Sequence, residues 1–439
     1  MTTINAFRKD GYLAVQVEAA ATSGSAMNEI HVGFLLDVSV SMTGDRLAAV
    51  KRTLNVLLPL FQATDRCTVV TFSSSARTVV SSLIMDEAGK EEFRSRVDAM
   101  ATEGNTDLGL GITHLSFLHS DYTAVILLTD GEITAGVSTN EGIQSLLAGF
   151  RGRPIYTLGY GAEHNRALLN RVAIDSCATY TYVDSETTLP ISTADLIQGL
   201  RTEVFHDATV EVAGTGWKSI ELGPGDGRPF RRIGGIVPGR PYWSIFSLDP
   251  TIAGNPDELS PAIFLRSREM TLPCSSISAA SAPDSSDEVT EQIMRARVVK
   301  LLTLGTAELE HPTTESFRTE IGTQIDLLIT EIGDSLRPLM LRMKGQLIDM
   351  RCHLRSLPPP PPPHGGIRRS DGHGINTTGH TTLSPPQLAR FASITGVLSG
   401  QRGITRYLDS DDPDQTFSSP AQRTASSQIS QQYSNADPS

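Results

Sequence analysis

Val32-Gly-Phe-Leu-Leu-Asp37-Val-Ser39-Val-Ser41 decides the reading of this chain. The run up to Leu36 carries no polar side chain, the pattern of a strand covered on both faces. It stops at an acid and continues with two alternating serines, so a buried strand delivers three oxygen-bearing side chains at its carboxyl end. With Ile30–Leu36 as the first strand, similar runs follow at Cys67–Phe72, Val125–Thr129, Ile155–Gly159 and Thr179–Val183. Helical stretches lie between them. Leu47, Val50, Leu54, Leu57 and Phe61 recur every three or four residues and build one apolar stripe. Strand–helix alternation over residues 29–205 predicts an α/β domain with a doubly wound, mostly parallel sheet.

In such a sheet ligands bind beyond the carboxyl ends of the strands, where strand order reverses. Asp37, Ser39 and Ser41 enter that crevice from the first strand. Asp130, in Leu127-Leu-Thr-Asp-Gly-Glu132, comes off another central strand at the same edge. Thr106, in Gly104-Asn-Thr-Asp-Leu108, sits on the intervening loop ahead of a helix. Two carboxylates and three hydroxyls are hard oxygen donors that suit Mg²⁺, with Mn²⁺ or Ca²⁺ as alternatives. If the hydroxyls bind directly and the aspartates act through water, the ion stays strongly positive and takes a partner's carboxylate as its missing ligand. These residue types also serve as turn and cap residues. Five matches in order favour the metal site. Asp107 and Glu132 add negative charge beside it.

The Asp-x-Ser-x-Ser, Thr and Thr-Asp-Gly elements, in this order and at these separations, resemble the metal-ion-dependent adhesion site of von Willebrand factor type A (vWA) domains. Ile155-Tyr-Thr-Leu-Gly-Tyr-Gly-Ala-Glu-His164, Leu168-Leu-Asn-Arg-Val-Ala173 and Tyr180-Thr-Tyr-Val-Asp184 resemble the second half of that domain. The resemblance implies a Rossmann-like fold and a divalent cation at Asp37, Ser39, Ser41, Thr106 and Asp130. It also implies a protein partner offering an Asp or Glu carboxylate. Two positions depart from the family pattern: Val40 and Asn105 stand where glycine is common. Val40 is stiff and resists positive φ, so a tighter loop and an altered affinity are expected. The region beyond the domain resembles the C-terminal extension of intracellular wavy-growth-type RING proteins. No Cys/His cluster for a RING finger accompanies it, and ubiquitin-ligase activity is not carried over.

Outside the α/β domain, Gly11–Glu18 alternates as a half-buried strand, so residues 1–28 are expected to join a second domain. Residues 206–274 hold short alternating runs between Gly/Pro turns, an antiparallel β domain. Residues 275–287 read as a Ser/Ala/Asp-rich linker. Residues 288–356 read as helical. Ser285 and Glu288 have capping-box spacing, and Ile321, Ile325, Leu328, Ile332 and Leu336 form the stripe of a helical pair. Residues 357–439, opening on Pro358–Pro363, are expected to be mostly disordered.

A formal charge of −12 over 439 residues, with no basic stripe, argues against nucleic acid or anionic lipid as partner. The four cysteines lack ligand spacing, and Cys67 reads as a core thiol. No signal-peptide run and no stretch of about 20 apolar residues is present, so no membrane span and a cytoplasmic location are expected. Gly214-Thr-Gly-Trp-Lys-Ser219 reads as a turn rather than a phosphate loop. His31, His114, His119, His164 and His206 read as surface or capping residues, and no catalytic set stands out. The chain thus reads as an intracellular, cation-dependent interaction scaffold, not an enzyme, of unspecified oligomeric state. The alternatives are a Mg²⁺-assisted hydrolase or ubiquitin-pathway regulator using the same crevice, and a structural vWA domain with a dispensable metal.

Overall fold

The computed structural model describes residues 2–20, 28–119, 121–130, 135–137, 140–150, 153–160, 165–183, 188–221, 227–249, 261–267, 270–274, 277–279, 283–310, 313–335 and 337–356, with Gln428, Ile429 and Gln431. Two strands come first, β1 (Thr2–Lys9) and β2 (Tyr12–Ala19), an antiparallel hairpin in register from Thr2↔Ala19 to Lys9↔Tyr12. The α/β domain follows. Its strands are β3 (His31–Asp37), β4 (Arg66–Phe72), β5 (Ala76–Ile84), β6 (Ala124–Thr129), β7 (Ile155–Tyr160) and β8 (Tyr180–Val183). Its helices are α1 (Asp45–Val56), α2 (Glu87–Asp98), α3 (Leu108–Leu118), α4 (Asn140–Leu147), α5 (Arg166–Asp175) and α6 (Thr188–Arg201).

These strands form one sheet in the order β5-β4-β3-β6-β7-β8, parallel except for the β4–β5 hairpin. The apolar runs dictate this: every residue of β3 and β6 is buried, as strands sandwiched between helix layers must be. Phe34 and Leu36 join α1 and α6 in one core layer, while Leu35, Val125 and Leu127 join α3 and α5 in the other. Gly111 lets α3 approach the sheet, since a Cβ there would lie 2.9 Å from the Phe72 side chain. The chain runs outward from β3 on one side and returns to β6 on the other, so the order reverses between them. Asp37 ends β3 and Asp130 follows β6 at that reversal.

The β domain is a sandwich of two sheets, in the orders β10-β12-β2-β1-β15 and β11-β9-β13-β14. Its later strands are β9 (Phe205–Ala213), β10 (Trp217–Ser219), β11 (Phe230–Ile236), β12 (Pro241–Leu248), β13 (Ala262–Arg266), β14 (Thr271–Pro273) and β15 (Ile277–Ala279). Leu13, Val15 and Val17 of the first sheet face Val210, Val212, Ile263 and Leu265 of the second. The α/β domain is therefore an insertion between β2 and β9, two strands of one sandwich core.

Three differences from the sequence reading stand out, two in this half and one in the α/β domain. The stretch read as a linker includes β15, which pairs in parallel with β1 through Ala6↔Ile277 to Arg8↔Ala279. Its few small residues carry no periodic signal, and the edge of β1 supplies the pairing. The expected helical pair is a set of three helices, α7 (Pro283–Glu310), α8 (Glu315–Ile332) and α9 (Pro338–Ser356), sharing one core. Val289, Ile293 and Ala296 of α7 also cover Ala14, Trp243 and Ile245 on the outer face of the first sheet. His31, read as a surface or capping residue, is buried at 2 % exposure between β4 and the β6 side of the sheet, bonded to Thr68 and Asp121. Its ring sits against Tyr122 and His119.

The proline run and nearly all of the expected disordered tail lie outside the described residues. Ile429 is described, and it is buried within the core layer of α1 and α6.

Candidate metal centre

The centre is built where β3 ends. Asp37 is fully buried, and its Oδ1 accepts from the Ser39 backbone N–H at 2.8 Å. Its Oδ2 accepts the Thr129 hydroxyl. That bond follows from the sheet register: Leu36 pairs with Leu128, which sets Asp37 beside Thr129. Burial pushes the Asp37 carboxyl above its ordinary pKa, and the nearby Asp130 charge adds to this. Donation from Ser39 and Thr129 opposes the rise.

Ser39 and Ser41 place their hydroxyl oxygens 2.9 Å apart, and Ser41 donates on to Asp130 Oδ1 at 2.8 Å. Val40–Met42 forms a short 3₁₀ turn that folds the two serines to one side. Val40 itself is exposed and takes no positive φ; neither does Asn105. The absence of glycine at those positions therefore imposes no backbone strain on this loop.

The Thr106 loop is tied down beside it. Glu103 N–H donates to the Val38 carbonyl at 2.7 Å, and Val40 N–H to the Gly104 carbonyl at 3.1 Å. Asp107 N–H donates to the Ser73 carbonyl at 3.0 Å and Ala135 N–H to the Thr106 carbonyl at 3.2 Å. Thr106 is buried at 4 % exposure. Gly104 has φ +63, and a Cβ there would meet Ser74 Oγ at 2.6 Å, so glycine is required.

The structure thus links Asp37, Ser39, Ser41 and Asp130 in one hydrogen-bonded chain and buries Thr106 on the loop tied to it. Two participants were absent from the sequence reading. Thr129 lay inside the quoted motif, but its role depends on sheet register. Arg46, on α1, pairs with Asp130 Oδ2 and reaches the Ser41 carbonyl at 3.3 Å. Its signal in the sequence is a basic residue in the first turn of a helix, where the dipole disfavours it. Of the two acids expected to flank the site, Asp107 caps α3 by accepting from Leu110 N–H at 3.0 Å, and Glu132 lies outside the described residues.

The donor set fits a hard divalent cation. Two hydroxyls and a buried carboxylate stand within hydrogen-bonding distance of one another, and a second buried carboxylate is fixed behind them. Among the described residues no group of three or more His, Cys, Asp or Glu is placed to hold a metal.

Residues 31–195 match the family described as the von Willebrand factor type A domain. The chain carries a vWA domain. Among curated relatives, an uncharacterized protein, YfbK, of Escherichia coli K12 is 25 % identical over 51 % of this chain and 39 % of its own length. Human inter-alpha-trypsin inhibitor heavy chain H3 is 31 % identical over 40 % of this chain and 21 % of its own. The chain therefore spans well under half the length of these relatives. A solved von Willebrand factor type A structure from Catenulispora acidiphila superposes with a TM-score of 0.58 at 17 % identity, covering 81 % of this chain and 89 % of that one. That coverage extends the likeness in fold beyond the vWA domain into the sandwich and helices.

Among the described residues no helix is long and apolar enough to cross a membrane. Cys67 and Cys177 are buried free thiols, Cys274 is half-buried and Cys352 is exposed and free.

Proposed function

We propose that the vWA domain captures a protein partner in a divalent-cation-dependent manner, with Mg²⁺ as the ion and Asp37, Ser39, Ser41, Thr106 and Asp130 as its donor set. The observation that carries this reading is the chain Ser39–Ser41–Asp130, with hydroxyl and carboxylate oxygens 2.8–2.9 Å apart at the strand-order reversal. A bound ion would supply an electrophilic position that an Asp or Glu side chain of the partner completes. The chain's own residues do the rest. Asp37 holds the Ser39 backbone and is itself held by Thr129, so the loop's shape is fixed from below. Asp130 steadies Ser41, the exposed member of the set, which faces the approaching partner.

Binding rather than hydrolysis is the reading we favour, because Asp107, a candidate general base, is committed to the α3 N-cap. Free thiols suit a reducing, intracellular setting, and the three-helix unit suits a scaffold around the captured partner. The test is affinity capture with the full chain in Mg²⁺ and in EDTA, alongside Asp37→Ala. Capture in Mg²⁺ that is lost in EDTA and in the variant supports the reading. Equal capture in all three would overturn it.

A further inference from the structure

We propose that Arg46 is an internal cation that competes with the divalent ion for Asp130 and thereby sets how readily the site loads. The inference deepens the proposed function and rests on it, in that a cation is taken to bind at Asp130.

Arg46 is the second residue of α1, within its first turn. A basic side chain there faces the positive end of the helix dipole, so helix formation does not account for it. Its guanidinium instead leaves the helix, contacts Asp130 Oδ2 and reaches the Ser41 carbonyl at 3.3 Å. The Asp130 side chain is 0 % exposed, whereas that of Arg46 is 41 % exposed. A buried carboxylate is thus paired with a cation whose own side chain is partly open to solvent. Asp130 has its other oxygen on Ser41, and Asp37 adds a second buried negative charge nearby. Without compensation, two such charges out of water are costly.

Arg46 meets that need for the ion-free protein. A divalent cation on Asp130 meets it for the loaded one. The two cannot both be close to the same carboxylate without mutual repulsion, which a buried site screens weakly. Loading the site therefore drives Arg46 to the rim. A merely structural ion pair predicts otherwise, since its loss would weaken the loop and reduce metal affinity with it.

The test uses the full chain with Mn²⁺ as probe, its binding followed by electron paramagnetic resonance and the melting temperature measured in EDTA. Arg46→Gln is expected to lower the ion-free melting temperature while binding Mn²⁺ about tenfold more tightly. Arg46→Lys keeps the charge but loses the planar fork, and should fall between. Asp130→Ala is the control that removes Mn²⁺ binding. Opposite signs for stability and affinity in Arg46→Gln support the inference. Equal or weaker Mn²⁺ binding by that variant overturns it and leaves the proposed function standing. Failure of both the wild-type chain and Arg46→Gln to bind Mn²⁺ sinks both.

Discussion

Ser41 donates its hydroxyl to Asp130 Oδ1 at 2.8 Å, joining the loop after β3 to the residue after β6 across 89 positions of sequence. Each partner thus orients the other before any ion arrives. On the proposed reading both are also donors to the cation. A ligand that binds only the native state, at about 100 times its dissociation constant, adds about 2.7 kcal/mol to stability. Mg²⁺ should therefore raise the melting temperature of the wild-type chain, and Ser41→Ala should abolish most of that rise. Differential scanning calorimetry in EDTA and in Mg²⁺ measures it. The same rise in both chains would remove Ser41 from the site.

Thr129 makes a separable contribution. Its hydroxyl donates to Asp37, a carboxylate with no solvent exposure. Thr129→Val keeps the shape of the strand residue and deletes the donor. An orphaned buried acceptor costs about 1–3 kcal/mol, and more when it is charged. Urea denaturation in EDTA should show that loss for Thr129→Val, with Thr129→Ser close to wild type. A valine variant as stable as wild type would mean that Asp37 does not rely on this hydroxyl.

His31 gives the fold a pH dependence away from the candidate centre. Burial, with Arg66 and His119 nearby, lowers its pKa to about 4 from 6.5 despite the opposing pull of Asp121. The unfolded chain thus takes up a proton near pH 6.5 that the native chain refuses until about pH 4. Stability must fall as pH drops through this window and level off below it. The loss attributable to His31 between pH 7 and pH 5 is about 2 kcal/mol. His31→Asn should flatten that segment of a stability-versus-pH curve. An unchanged slope would assign the dependence to other groups.

How much of this was legible beforehand depends on burial. The strands around Phe34 and Ile126 announced themselves because both faces are covered, leaving uninterrupted apolar runs. The edge strand Ala76–Ile84 did not, since only Val80 among its residues is fully buried. Likewise Thr2–Lys9 buries only Ala6 completely, and its place is set by pairing with its neighbour. The proposed donor set could be named from residue types in order, which are local properties. Arg46 was not read, because its contact with Asp130 spans 84 positions and appears only when α1 is docked beside the end of β6. Val40 brings no backbone strain, because its loop takes a 3₁₀ turn that any residue can adopt.

Ile429 is the sharpest case of a position that sequence pattern does not reveal. It stands in Ser427-Gln-Ile-Ser-Gln-Gln432, flanked by polar residues on both sides, with only Ala425 and Tyr433 at a four-residue spacing from it. Yet it is 1 % exposed and packed into the layer formed by α1, α6 and the sheet. One apolar side chain placed in a core can tether a polar segment, because removal of a buried Ile to Ala typically costs about 2–5 kcal/mol. The cost is capped by the free energy with which Ile429 docks in that layer. Ile429→Asp should therefore lower the melting temperature of the vWA domain and speed backbone hydrogen exchange in α1 and α6. Truncation after Ser356 should reproduce both effects without adding to them. If neither change alters exchange in those helices, the tail is not part of the vWA core in solution.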